Sequence, residues 1–418
     1  MALSKVIIVE KRNNNRRSSK TEGYVFFLNK EVMTAKNQIN NWGGGLFLLL
    51  CLILLMGYSS GMVTLFALFC IFFTQRIHKI DSTAIILAVF SITYVLISYH
   101  NDAIKSLSGM VIFGLPWFFF YCYGKYVARR SLDDNSLIDF ILIVALLGGL
   151  PVYISIIYKI ISTGSIVDTD RLFYTFGNEM KQGSGNDACL DVFMGYAGLA
   201  AFFLLTQRKK QCWLFIMLFL LSILVAINTV TRFPIVASVI CFIIVMFSKN
   251  KKKPLIFIGE LLLILGVVFL LYSQSGEIGQ VFEAFAARNE DMENVRTLSD
   301  RTYRWTEALS LMINHPFGWY NASNAGFYVH NMWLDIAKYS GIVPFILLAI
   351  ATIRSLMTNI RILKIIKTPL AFIFLSLNLC FILSAFVQPV YGSLCVAKYC
   401  LIWGLQSAYL DTINLKRA

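Results

Sequence analysis

Long apolar runs separated by short polar turns dominate the chain, near 44–58, 61–75, 83–99, 108–127, 137–160, 190–206, 211–228, 231–248, 254–272, 341–357, 368–388 and 391–410. Each is about 15–24 residues long, close to the ~20 that a helix needs to cross a hydrocarbon core. The runs must be helices, because isolated strands would leave backbone N–H and C=O groups unpaired in lipid. The pattern predicts an all-α polytopic membrane protein of about 12 transmembrane helices. The first two runs are short and share the turn Gly57-Tyr58-Ser59-Ser60-Gly61. Two connecting stretches, 161–189 and 273–340, are too long for simple turns, and long loops on a membrane scaffold are where function concentrates. The second lies between spans 9 and 10 and is expected to contain short helices.

Composition agrees with the pattern. Of 418 residues, 57% are hydrophobic and 14% charged, against about 25% charged in soluble domains. Residues 1–42 differ from the rest. They are polar and basic, with the run Lys11-Arg12-Asn13-Asn14-Asn15-Arg16-Arg17 and no early apolar core. This stretch reads as a cytoplasmic tail drawn to anionic lipid, rather than a signal peptide or a nucleic-acid-binding arm. The transmembrane body is then 43–418. With the N-terminus placed in the cytoplasm, alternation across twelve spans puts 26 of the 37 Lys and Arg residues on the inner side. The positive-inside rule therefore favours this topology, with both termini cytoplasmic. The nine cysteines show no CxxC spacing, and none of the four histidines pairs at i, i+4. Neither a disulfide framework nor a zinc site is expected.

Polar chemistry concentrates in two external places. In the turn Asn228-Thr229-Val230-Thr231-Arg232-Phe233-Pro234, Arg232 is either an interfacial side chain reaching for water or an anion contact at a span's edge. In the large loop, Ser299 is placed to cap a helix that starts at Asp300 and ends before Pro316 and Gly318. There Arg301, Trp305 and Ala308 share one face, with Arg304 beside them. A second short helix is expected to start near His330 and end at Gly341, with His330, Leu334 and Ala337 on one face. Arginine suits phosphate oxygens through its fixed fork of donors, and a histidine can take a proton near neutral pH.

At these residues the chain resembles the bacterial O-antigen ligase and O-antigen polymerase superfamily of polytopic glycosyltransferases. The resemblance rests on Arg301-x-x-x-Trp305-x-x-Ala308, the turn His315-Pro316-Phe317-Gly318, the segment His330-Asn331-x-x-Leu334 followed by Gly341, and the Thr231-Arg232 pair opening a span. It covers about 228–345. The chain departs from the family pattern at Pro344 and at Trp319-Tyr320, where further glycines are frequent. The resemblance implies transfer of a glycan from undecaprenyl pyrophosphate to an acceptor hydroxyl, at the external face of the bacterial inner membrane, in lipopolysaccharide or related surface polysaccharide synthesis. It implies Arg232, Arg301 and Arg304 on the pyrophosphate, and His330 with Arg301 as the catalytic pair. Trp305, Asn331 and Asp335 would support them. The transfer would be inverting and metal-independent, with no cofactor. The expected partners are the lipid-linked donor, a glycan or lipid A–core acceptor, membrane lipids and a chain-length regulator protein.

Within that reading, polymerisation of lipid-linked repeat units is favoured, with ligation to lipid A–core as the alternative. A polytopic transporter is a second alternative, suggested by Glu260 and Lys398 inside apolar runs. The absence of an internal repeat between the halves argues against it.

Overall fold

The computed structural model describes residues 80–131, 133–167, 172–174, 182–205, 208–249, 298–322, 329–387 and 393–417, together with Gly259. The basic tail, the runs at 44–58, 61–75 and 254–272, Glu260 and the first part of the large loop lie outside them. Among the described residues the chain is helical apart from one ribbon. The helices are α1 (Ser82–His100), α2 (Leu107–Arg130), α3 (Asp134–Thr163), α4 (Gly185–Asp191), α5 (Phe193–Tyr196), α6 (Gly198–Leu204), α7 (Lys209–Asn228), α8 (Phe233–Lys249), α9 (Leu298–Asn314), α10 (Met332–Ser340), α11 (Ile342–Ile365), α12 (Pro369–Val387) and α13 (Ser393–Arg417). Six of them, α1, α2, α3, α7, α11 and α12, are long and apolar enough to cross a membrane. Helix α8 is apolar but shorter, at 17 residues.

Helix ends follow local chemistry. Asp81 caps α1 through its bond from the Ala84 amide, and Asp133 caps α3 through the Ser136 amide. Gly164 ends α3 in the left-handed conformation at φ +68°, a position that glycine takes at no steric cost. Pro151 sits within α3, which neighbouring helices make tolerable in a membrane.

The expected span at 190–206 is not one helix. It breaks into α4, α5 and α6, because Gly195 and Gly198 bring its backbone against α7. A Cβ at Gly195 would run into the Ser222 side chain, and one at Gly198 into the Phe215 carbonyl. The loop ahead of it carries the two-stranded ribbon, β1 (Leu172–Tyr174) antiparallel to β2 (Gln182–Ser184), with Phe173 opposite Gly183.

Hydrogen bonds sort the helix ends into two levels. At one level, the start of α3 meets the end of α13 and the start of α12: Tyr409 bonds Asp134 at 2.9 Å and Thr368 at 3.3 Å. Asp81 joins this level, accepting from Tyr121, Ser407 and Lys125. Burial by itself would raise the Asp81 carboxyl, but the bonds from Lys125 and the Ala84 amide together hold it below its ordinary range. At the opposite level, Asn228 at the end of α7 donates to Ile166 just past α3, at 2.9 Å. The Asn331 amide before α10 donates to Phe386 near the end of α12, at 3.2 Å.

Between the levels, packing is helix on helix through small residues. Helices α2 and α13 cross with Gly124 against the Leu401 carbonyl and Gly404 against the Tyr121 carbonyl, the close approach that small residues permit in lipid. Neither glycine leaves room for a methyl group. Gly404→Ala is therefore expected to cost about 1–3 kcal/mol of overpacking, read as a lowered unfolding temperature of the purified protein in detergent. An unchanged midpoint would mean that the crossing relaxes freely. A buried polar cluster links α11, α12 and α13, where Asn378 donates to Gln406 at 3.0 Å and Ser355 bonds both. Lys398 of α13 donates to the backbone carbonyls of Gly148 and Asp191.

Candidate active site

Helix α9 starts at Leu298, one residue ahead of Ser299, and ends at Asn314 before the His315-Pro316 step. Its inner stripe is Trp305, Ala308 and Met312, which pack with Trp319, Val329, Leu334 and Ala337. Arg301 belongs to the same stripe by register, one turn before Trp305; its side chain is outside the described residues. Arg304 is half-buried beside Trp305.

The turn after α9 is built tightly. The Gly318 amide bonds the His315 carbonyl at 2.9 Å, and Gly318 stands at φ +105°. Asn101, just past α1, donates to the Phe317 and Tyr339 carbonyls at 2.7 and 3.0 Å. The Ile342 amide at the head of α11 donates to Pro316 at 2.9 Å. Gly341, at φ +82°, lies so close to Pro316 that a Cβ would strike its carbonyl. The turn thus wedges between the ends of two membrane-length helices. Trp319, one of the departures from the family pattern, is 1% exposed and fills the cluster beneath α9.

The second expected helix begins two residues later than His330. Asn331 is its N-cap, accepting from the Trp333 and Leu334 amides at 3.1 and 3.2 Å, and Met332 is its first residue. His330 stands outside the helix at φ +57°, so it does not share a helical face with Leu334 and Ala337. A left-handed backbone costs a non-glycine residue roughly 1–2 kcal/mol. Neighbours hold it there. Asp335, 2% exposed, accepts from the Val329 amide at 3.3 Å with one oxygen and from the Asn331 amide at 3.2 Å with the other. Trp305 Nε1 donates to the Val329 carbonyl at 3.0 Å, and the Trp305 ring packs edge-on against Phe386 at 4.9 Å. Bonds to a charged acceptor contribute about 1.5–3 kcal/mol each, enough to outweigh the backbone strain. On the next turn of α10, burial lowers the Lys338 ammonium from its ordinary range, partly offset by the attraction of Asp335.

Arg232 opens α8, its carbonyl accepting from the Ile235 and Val236 amides. The preceding turn is rigid: Val230 is at φ +48°, Thr229 and Thr231 are buried, and their hydroxyls lie 3.1 Å apart. Arg232 comes to the level of the His330 layer. Cys241 of α8 bonds Ser376 of α12, and the climb from Cys241 to Arg232 and from Ser376 to Phe386 is about 14–15 Å in each case, at ~1.5 Å per residue. Phe386 touches Trp305 directly and receives the Asn331 bond. Hydrogen bonds thus tie Trp305, Asn331 and Asp335 to the backbone on either side of His330, with Arg301 and Arg304 on α9 and Arg232 at about this height by helix rise. Asn101 and Phe386, which tie this layer to the membrane helices, stand in sequence contexts with no distinguishing signal.

Residues 216–349 match the family model described as O-antigen ligase. The match takes in Arg232, Arg301, Arg304, Trp305, His330, Asn331 and Asp335, and supports placing this segment in the O-antigen ligase and polymerase superfamily. The membrane-length helices fit a multi-pass membrane protein, and the matched family suggests glycan processing. It does not divide polymerase from ligase. No curated protein matches the chain.

Proposed function

We propose that this protein polymerises undecaprenyl-pyrophosphate-linked oligosaccharide repeat units into O-antigen or a related surface polysaccharide, at the external face of the inner membrane. What supports the reading is the height that helix rise from the Cys241–Ser376 contact gives Arg232, close to that of the His330 layer. They lie at the end of the helices opposite Lys125, Arg129, Arg354 and Arg361. By the positive-inside rule that end is external, where lipid-linked donors are presented. The arginines bind the pyrophosphate, whose two phosphates carry the leaving group's charge. His330 accepts the proton of the attacking hydroxyl as the new bond forms at the anomeric carbon. The bond from that carbon to pyrophosphate oxygen breaks on the opposite face, inverting the centre and releasing undecaprenyl pyrophosphate. The cationic cluster supplies the charge neutralisation that a divalent ion provides elsewhere, so the transfer proceeds without metal.

The test uses the purified full-length protein in lipid nanodiscs with a defined lipid-linked repeat unit. A ladder of lengthened glycans from that donor alone is the expected result. Product formed only when lipid A–core is added would identify a ligase. No transfer to either acceptor would remove glycan transfer as the function.

A further inference from the structure

We infer that Asp335 is a positioning residue for His330: its buried carboxylate clamps the two amides that flank the histidine and so aims the side chain. The inference rests on the proposed role of His330 as the base. A helix-capping carboxylate ordinarily sits at the third helical position and returns one bond to the N-cap residue. Here the third position is Leu334, and Asn331 already serves the Trp333 and Leu334 amides with its own side chain. Asp335 sits one residue further on and uses both oxygens, one on each side of His330. Reaching back to Val329 does nothing for the helix, because Val329 lies two residues outside the cap. What the pair of bonds does is close a loop over Val329 and His330, the second of them held at φ +57°.

The clamp itself is fixed. Asp335 is fully enclosed, with Lys338 one turn on and Tyr94 of α1 within electrostatic range. The carbonyl on the near side of His330 is held by Trp305, and the residue on the far side is tied to Phe386. The backbone carrying His330 is therefore bound from α9, α10 and α12 at once. An asparagine at 335 keeps the shape but offers one acceptor and one N–H₂, and the N–H₂ would face an amide donor. One side of the loop is then released.

The experiment measures kcat, KM for the lipid-linked donor and donor binding in Asp335→Asn, His330→Ala and the double variant. Misplacing a reacting group by about 1 Å costs on the order of 10²-fold. Asp335→Asn is expected to lose about that much in kcat, with KM and donor binding nearly unchanged. In the His330→Ala background the same substitution should cost nothing further, because its effect passes through the histidine. If Asp335→Asn does not accumulate, Asp335→Glu, which keeps the charge on a longer arm, is read in the same way. Full kcat in the folded Asp335 variant beside an inactive His330→Ala would overturn the clamp alone. So would losses that multiply in the double variant. Full turnover in His330→Ala would instead remove the base assignment, and the clamp's purpose with it.

Discussion

Replacing His330 with alanine should lower turnover by about 10²–10⁴-fold, the usual contribution of a positioned general base, while the lipid-linked donor still binds. The separation follows from when the proton moves. In the ground state the acceptor hydroxyl is neutral and asks nothing of a base; only as its oxygen attacks does the proton need a destination. Loss should therefore fall on kcat and kcat/KM together, with donor affinity preserved. The backbone provides a control. Alanine at 330 must adopt the same left-handed conformation as the histidine, so the Asp335 and Asn331 bonds have the same geometry to satisfy. Normal turnover by His330→Ala on a defined donor would leave His330 as a loop residue ahead of a helix cap.

Much of this site could be read from residue order, for identifiable reasons. Proline and glycine punctuate the loop, and Pro316 and Gly341 mark where α9 and α10 stop, because neither boundary depends on distant contacts. The face of α9 is legible in the same way: Trp305 and Ala308 recur at helical spacing and face the cluster, where Met312 joins them. Spacing alone puts the start of α10 near His330, which fits a helical face, whereas the helix begins at Met332. The positive φ of His330 is imposed from outside by the Asp335 carboxylate and by Trp305, which is 25 positions earlier. The break in the 190–206 run is also a tertiary effect. Hydropathy sees an unbroken apolar segment, but Gly195 and Gly198 are spent on contact with α7. The ribbon at 172–174 and 182–184 lacks alternating apolar residues to announce it. Lys398 illustrates a further gap: a lysine in an apolar run suggests an ionic partner or a cleft, whereas here it donates to two backbone carbonyls.

The arginines should respond differently from the histidine, losing donor binding as well as turnover. Arg301→Ala is expected to abolish detectable transfer with the protein still present in the membrane, and Arg232→Ala to weaken both donor binding and turnover. The pyrophosphate is charged before, during and after the reaction, so its cationic partners act in the ground state as well as the transition state. Charge also builds on the leaving oxygen as the anomeric bond breaks, and removing one preorganised donor at such a position costs about 10²–10³-fold. Arg301→Lys and Arg232→Lys should recover little, since a point ammonium cannot reproduce the two parallel bonds of a guanidinium fork. The placement of Arg232 sharpens the expectation. It opens α8 from a turn held by Val230 at φ +48° and by the buried Thr229 and Thr231 hydroxyls, so a lysine there would stand on the same rigid base and differ only in its head group. Donor binding by each variant, measured alongside transfer, separates the two classes of residue. Undiminished transfer by Arg301→Ala would take that arginine out of the mechanism, and binding unchanged in every arginine variant would mean that the pyrophosphate is held elsewhere.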